Sequence, residues 1–367
     1  MRTCVRCVMS TEAEEITFNE KGVCGFCTAW ERGEDERQTR KLHPGLPWML
    51  YELRKAGEGK NYDCLVGLSG GVDSAMCLHY LVAENGIRPL CFSIDNGWNS
   101  PGADENIMRM VEKLKVPFYR KTIDLKTFND LQIAFVRAGV KNIEIPTDHI
   151  LLAICYQLAA ENGIKYIVNG GNWATEGIMP ESYGYSAKDL RHIKAIFKRF
   201  APKELNFPVI RGAGVRTKKP KLNLPTISLG KYIYYRFVKG IKVIQPLDFY
   251  EYDRNKSIKL LEQEYGWQPY GEKHGESVFT RWFQNFYLPA KFGLDKRRPH
   301  FSSMIMSGQM TRTEALEELA KSPVYPKLGI EERIMAYEKH SHFDYPTNQR
   351  LWNFMYEVYR FMKNVVH

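Results

Sequence analysis

No apolar run in this 367-residue chain approaches the roughly 18 residues that a membrane-crossing helix needs, and the nearest, Ile150 to Ala160, falls well short. The amino terminus places charged residues where a signal peptide would carry an apolar stretch, so export is not expected and a cytoplasmic enzyme or binding protein is the default. There is no internal repeat and no low-complexity tract. With 44% hydrophobic and 26% charged residues the composition excludes a disordered or fibrous chain. Acids are nearly missing from one stretch: Leu190 to Lys242 holds 14 Lys and Arg against a single acid, Glu204. The chain as a whole carries +10, so the rest of it is close to neutral and the basicity is local. An anionic substrate, RNA, a membrane surface or an acidic protein has to account for that stretch alone.

Disulfide pairing is not expected for the eight cysteines, because Cys64, Cys77, Cys91 and Cys155 are scattered singly through apolar segments. The other four follow a metal pattern. Cys4 and Cys7, then Cys24 and Cys27, form C-x2-C-x16-C-x2-C, a spacing that presents four thiolates to one zinc ion, with Gly22 and Gly25 supplying tight turns. A closed four-thiolate site leaves no open position, so its role is structural or recruiting; an iron-sulfur cluster also takes four thiolates and stays open as the alternative.

From Asp63 onward, strands alternate with amphipathic helices. Strands are expected at Cys64 to Leu68, Leu90 to Ile94, Phe118 to Ile123 and Tyr166 to Asn169. Helices are expected at Ser74 to Glu84, Lys126 to Ala138 and Asp148 to Asn162. That order implies an α/β doubly wound parallel sheet. The alternation fades after Tyr183 into the basic stretch, and helices are expected again at Asp253 to Tyr265, Thr311 to Lys321, Glu331 to Lys339 and Thr347 to Lys363. The expected division is a zinc-binding module over 1–35, an α/β domain over 60–185, and a basic, mainly helical substrate or partner region over 186–367.

Directly after the first strand come Ser69, Gly70, Gly71, Val72, Asp73 and Ser74. Glycines let successive N–H groups converge at a helix start, which suits phosphate. The Walker lysine is missing, as is any G-x-G-x-x-G fingerprint. Asp73 would repel phosphate unless magnesium (Mg2+) intervened. The hexapeptide resembles the pyrophosphate loop (PP-loop) of the ATP pyrophosphatases, a group that includes GMP synthetase, asparagine synthetase, lysidine synthetase and the tRNA thiolation enzymes. The resemblance implies that ATP lies with its triphosphate in this loop, that an oxygen of the substrate is adenylated, and that a nitrogen or sulfur nucleophile then displaces AMP. The paired knuckles, the run Val168 to Asn172, and Lys291 to Arg298 with Ser307 to Arg312 resemble the N-acetyl sugar amidotransferases of bacterial surface polysaccharide (O-antigen, lipopolysaccharide) and flagellar glycan pathways.

In a doubly wound sheet the ligand crevice lies at the carboxyl ends of the strands where the winding reverses, so the first and fourth strand ends should flank one pocket. Gly170, Asn172 and Glu176 would then approach the nucleotide, the reacting centre or magnesium, although an Asn-Gly-Gly turn is also an ordinary loop. Asp95 and Ser93 at the second strand end are candidates for nucleoside and adenine contacts, against a plain Asp-Asn-Gly turn. The segment 270–300 is dense in groups that hold anions or share protons: Lys273, His274, Glu276, Ser277, Arg281 and Lys291 are substrate candidates. Lys296 and Arg297 are expected to stabilise departing pyrophosphate, with a surface patch as the alternative.

Taken together, these features read as an ATP-dependent amidotransferase that adenylates an acetamido or carboxyl oxygen of a sugar and replaces it with ammonia-derived nitrogen, giving an amidine or amide. No glutaminase nucleophile is visible, since Cys4 sits in the metal pattern; ammonia should come from a separate glutaminase subunit. The resemblance implies one like that of histidine biosynthesis, with a cyclase-like companion. The rival is a tRNA-modifying enzyme of the same fold. It is weakened for thiolation because no further C-x2-C pair remains.

Overall fold

The computed structural model describes residues 1–40, 45–201, 221–270 and 275–354. Five strands, β1 (Cys64–Gly67), β2 (Pro89–Asp95), β3 (Phe118–Thr122), β4 (Tyr166–Val168) and β5 (Lys242–Ile244), form one sheet in the order β3-β2-β1-β4-β5. Every neighbouring pair is parallel. The helices are α1 (Gly25–Arg40), α2 (Leu46–Ala56), α3 (Val72–Leu78), α4 (Pro101–Leu114), α5 (Leu125–Arg137), α6 (Ile145–Glu161) and α7 (Trp173–Glu176). The second half adds α8 (Leu190–Phe200), α9 (Leu229–Ile233), α10 (Arg254–Tyr265), α11 (Val278–Trp282), α12 (Arg297–Met306), α13 (Arg312–Ala320) and α14 (Glu331–Met335).

Period-two alternation divides the strand side chains between two apolar layers. Leu65, Phe92 and Ile167 pack with Phe128, Phe135, Ile154 and Ile196 of α5, α6 and α8. Cys64, Val66, Cys91 and Val168 face the opposite way, onto Leu53, Met76, Met110 and Leu261 of α2, α3, α4 and α10. Chain order runs outward from β1 through β2 to β3 and then returns to β4 on the other side of β1. The winding therefore reverses between β1 and β4, where the sequence places the crevice.

The four expected strands are present with ends shifted by a residue or two, and a fifth is added. β5 is three residues long and mostly solvent-exposed, too short and too charged to show a period. The expected helix over Ser74 to Glu84 begins earlier, at Val72, and passes into a wider π-helical turn over His79–Glu84. The part of the expected terminal helix beyond Phe354 lies outside the described residues, as do 202–220 of the basic stretch.

The cysteine-bearing segment is built into the body of the protein. Its sulfurs belong to the same apolar layer as α5, α6 and α8. The Arg312 guanidinium donates to the Cys4 and Cys7 carbonyls, and the Val8 N–H donates to Ser302 Oγ of α12. Arg298 pairs with Glu12 and donates to the Val8 carbonyl. Trp30 of α1 packs on Trp173 of α7 with ring centroids 4.8 Å apart.

Candidate active site

The turn after β1 is held closed by its own polar groups. Gly70 has φ +82, and a Cβ there would sit 2.3 Å from the Ala103 carbonyl, so both the backbone conformation and the space require glycine. The Gly71 N–H donates to Ser69 Oγ at 3.2 Å, the two hydroxyls of Ser69 and Ser74 lie 3.3 Å apart, and Ser74 Oγ donates back to the Gly71 carbonyl at 3.1 Å. The end of β4 rests directly on this turn: a Cβ at Gly170 would stand 3.1 Å from the Ser74 nitrogen. One at Gly171 would stand 3.5 Å from Glu176 Oε2. The first and fourth strand ends thus share one crevice.

The C-terminal half covers the loop with aromatic side chains that the sequence reading did not single out. Trp267 Nε1 donates to the Gly70 carbonyl at 3.1 Å, the Val72 N–H donates to the Tyr270 hydroxyl at 3.3 Å, and the Tyr252 hydroxyl donates to Asp73 Oδ1. Burial and the charge of Asp73 push the Tyr252 phenol far above its usual range, so it stays a donor. Gln309, in the Ser307 to Arg312 run, anchors this segment by accepting from the Arg254 N–H at 3.0 Å and donating to the Tyr252 carbonyl at 2.9 Å. The Arg254 guanidinium acts on both Tyr252 and Tyr270, which places a cation beside the loop, and its buried Nε has no hydrogen-bond partner among the described residues.

A group of carboxylates around one lysine adjoins the loop. The backbone of 276–278 pairs with 98–100: Ser100 N–H donates to the Glu276 carbonyl and Val278 N–H to the Trp98 carbonyl. This brings Glu276 Oε1 to 3.2 Å from where a Gly71 Cβ would lie. Glu144, at the start of α6, accepts from Thr280 Oγ1 at 2.9 Å, while its other oxygen is buried with no hydrogen-bond partner among the described residues. Burial pushes the Glu144 carboxyl up to about 8, reinforced by Asp148 and Glu276 and opposed by Thr280 and Lys296. Lys296 is drawn down from its ordinary range by burial, against the pull of Asp148, Glu144 and Glu176. Glu144 and Lys296 are half-buried and Asp148 is exposed, so the group lies at the margin of the apolar core.

Several expected site residues are turned elsewhere. Arg297, one position from Lys296, donates to both oxygens of Asp295 and to the Glu318, Leu319 and Lys321 carbonyls, where it caps the end of α13. It points away from the cleft because successive residues at a helix start diverge by about 100°. Lys291 is fully enclosed and donates to the Ile334 and Tyr337 carbonyls at 3.0 and 2.6 Å, closing α14. Arg281 donates to the Val324 carbonyl, and Ser277 caps α11. Asp95 stands at the end of β2 and accepts from the Gly97 N–H, forming a turn; Ser93 Oγ is buried without a hydrogen-bond partner among the described residues. Asn172 caps α7 through its Oδ1, and its amide nitrogen likewise has no hydrogen-bond partner among the described residues. Lys273 and His274 lie outside the described residues.

The four cysteines converge, with all sulfurs within 4.8 Å of one another. The distances are 3.9 Å for Cys4 to Cys27, 3.7 Å for Cys7 to Cys24 and 3.7 Å for Cys24 to Cys27. A tetrahedron with metal–sulfur bonds of about 2.3 Å has edges of about 3.8 Å, so the set fits one mononuclear ion. An iron-sulfur cube, in which each thiolate binds a different iron, needs its sulfurs farther apart. Backbone N–H groups of Arg6, Met9 and Cys24 also point at the sulfurs.

Residues 276–359 match the C-terminal domain of WbpG-like LPS biosynthesis proteins. An uncharacterized protein from Methanocaldococcus jannaschii is 26% identical over 171 residues, which is 46% of this chain and 58% of that protein. Among solved structures, NMN synthetase from Francisella tularensis aligns at 13% identity over 60% of this chain and 91% of its own, with a TM-score of 0.30. The U34-tRNA thiolase NcsA from Methanococcus maripaludis, with its 4Fe-4S cluster, aligns at 14% identity over 93% and 97%, with a TM-score of 0.31. Neither likeness is close enough to carry chemistry to this chain. What the molecule itself shows is a parallel α/β sheet with a glycine-rich strand-to-helix turn at its switch point. Tyr252, Trp267 and Tyr270 lie over that turn, and Glu276, where the matched segment begins, stands beside it.

Proposed function

We propose that this protein uses ATP to adenylate an acetamido (or carboxyl) oxygen of a sugar or nucleotide sugar, and that ammonia-derived nitrogen then replaces that oxygen, releasing AMP. The observation that carries the reading is where residues 276–359 go: Glu276 lies beside Gly71 in a turn like that of the ATP pyrophosphatases, Thr280 holds Glu144, and Lys296 is opposed to Glu144 and Glu176. The turn holds the triphosphate, and Arg254 and Lys296 stand where charge develops on departing pyrophosphate. Asp73 would hold magnesium, which neutralises phosphate charge when bound. In the second half-reaction the nitrogen forms a bond to the activated carbon, the carbon–oxygen bond to AMP breaks, and the nitrogen sheds a proton. Glu144, with a carboxyl pushed up to about 8, is matched to accept that proton near neutral pH. The cysteine centre holds zinc (Zn2+) and braces α12, the helix that Lys296 precedes.

Thiol chemistry gains no support from the remaining cysteines. Burial pushes Cys77 and Cys64 well up, and Cys91 and Cys155 up to about 12, so none is an activated thiolate. The test is incubation with ATP, magnesium, ammonium and candidate N-acetylated nucleotide sugars, followed by mass spectrometry. AMP and pyrophosphate should form only with the sugar, and the sugar should lose oxygen and gain nitrogen. Glutamine should serve only after a separate glutaminase is added. Release of ADP and phosphate, or modification of tRNA in place of sugar, overturns the proposal.

A further inference from the structure

Among the described residues the basic stretch has no part in the cleft, and it has a different character there. From 221 to 247 there are five Lys and Arg and no acid. Within it, α9 and the π-helical turn that continues it (Tyr234–Val238) form a short helix with two unlike faces. Tyr232 and Tyr235 turn inward, packing on Tyr156 of α6 at 5.5 and 5.8 Å between ring centroids. The outward face carries Ile233, Tyr234, Phe237 and Val238, exposed to 37%, 43%, 50% and 72%. The Gly240 turn then leads to the edge strand, where Lys242 and Val243 are also exposed.

We infer that this face is a docking surface for an anionic membrane, which the protein meets without crossing. Four adjacent apolar side chains left in water are an uncommon feature unless a second surface covers them. Lys231, Lys239 and Lys242 flank them and Arg236 lies within the same turn, with no carboxylate between 221 and 247 to offset them, so the complementary surface is negative. A groove of about 320 Å3 opens beside the helix, lined by Lys231, Tyr235 and Lys239 and, across it, by Gln157 and Glu161 of α6. It gives a lipid phosphate room beside two lysines. Aliphatic Ile233, Val238 and Val243 on the outward face suit acyl chains, and the exposed rings of Tyr234 and Phe237 beside lysines suit the headgroup boundary, with RNA stacking as the alternative that the test separates. Among the described residues no helix is long and apolar enough to cross a bilayer, which leaves interfacial attachment. The surface lies outside the cleft, so it stands or falls independently of the proposed reaction.

The test is co-sedimentation of the full chain with sucrose-loaded vesicles. Vesicles of phosphatidylglycerol and phosphatidylcholine should pellet the protein, vesicles of phosphatidylcholine alone should not, and raising salt from 0.05 to 0.5 M, values on the order of those that screen surface charge, should weaken binding. The variant Phe237→Asp with Val238→Asp should lose at least about tenfold in vesicle affinity, as should Lys231→Glu with Lys239→Glu. Both pairs are exposed, so thermal melting and ATP turnover should match the parent. Equal pelleting of both variants with the parent, no preference for anionic vesicles, or displacement of the protein from vesicles by an equal mass of RNA overturns the inference.

Discussion

The cysteine centre and the strand-end cleft are both gatherings of groups that repel one another when ionised, yet the fold treats them oppositely. At the cysteines every sulfur is buried, three backbone N–H groups point at the Cys4 and Cys7 sulfurs, and Arg312 ties the flanking carbonyls to the C-terminal region. At the cleft, Glu144, Asp148 and Glu176 act on Lys296 and Glu276 acts on Glu144, and polar atoms of Glu144 and Arg254 have no hydrogen-bond partner among the described residues. The first arrangement suits a permanent ion, because nothing can enter or leave without opening the core. The second suits transient occupants, because its charged groups are half-buried or exposed and a ligand can reach them.

Breaking the permanent site should have the largest effect. Replacing Cys24 with Ser leaves three buried sulfurs whose charge no ion balances, and structural four-thiolate sites contribute folding energy outright. We expect Cys24→Ser to be recovered mostly as aggregate, and a strong zinc chelator in mild denaturant to lower the melting temperature of the parent by more than about 10 °C. Elemental analysis should return one zinc per chain. Protein lacking both zinc and iron yet melting normally would show that the cysteines are merely packed.

At the cleft the expected loss is in rate and not in fold. Lys296→Met and Asp73→Asn should each lower kcat by roughly 10²- to 10³-fold, the usual consequence of removing one electrostatic stabiliser, with melting temperatures within a few degrees of the parent. A large fall in melting temperature without a selective rate loss would mean that Lys296 is a packing residue like Lys291.

Part of this contrast is legible in the sequence. The thiolate spacing, the four central strands and the Ser69 to Ser74 turn are local patterns, and local patterns survive being read without a structure. The ring around Lys296 is not local. Glu144 and Asp148 lie in a segment that reads only as a helix start, and they reach the loop because α6 packs beside β1 while 276–278 pairs with 98–100. Tyr252, Arg254, Trp267 and Tyr270 read as ordinary members of an amphipathic region, since only the tertiary fold lays them on Gly70, Val72 and Asp73. Lys291, Lys296 and Arg297 look alike as cations in sequence; which of them faces the cleft depends on helix phase and on which helix ends need caps.

A titration sharpens the comparison with a smaller effect. The Glu144 carboxyl is raised in the folded protein relative to an ordinary value of about 4.3, so the folded state holds its proton more tightly than the unfolded state. Stability from this group is therefore fully present at low pH and is lost as pH rises through about 8. Glu144→Gln cannot ionise, so its stability should gain on the parent between about pH 5 and pH 9, by an amount on the order of 1–3 kcal/mol, read as a melting temperature that rises relative to the parent's. The same variant should retain ATP–pyrophosphate exchange with substrate while amination slows, because only the second half-reaction sheds a proton. Parallel melting curves across that range would remove Glu144 from its assigned place.

The smallest effect is expected one residue from the lysine that matters most. Arg297 donates to Asp295 and to three carbonyls at the end of α13, all partly shielded from water, and its guanidinium does not face the cleft. Removing it leaves those carbonyls to be satisfied by water and a carboxylate without its partner, which costs about 1–2 kcal/mol in sites of this exposure. Arg297→Ala should therefore melt a few degrees lower while kcat with ATP and sugar stays within about twofold of the parent. Arg297→Lys should recover only part of the loss, because an ammonium cannot reproduce the forked contact with Asp295. A hundredfold fall in kcat at unchanged stability would instead mean that Arg297 swings into the cleft when nucleotide binds, so that the cap seen here belongs to a resting state. Stopped-flow rates and melting curves on the pair Lys296→Met and Arg297→Ala, measured side by side, separate the two neighbours by function.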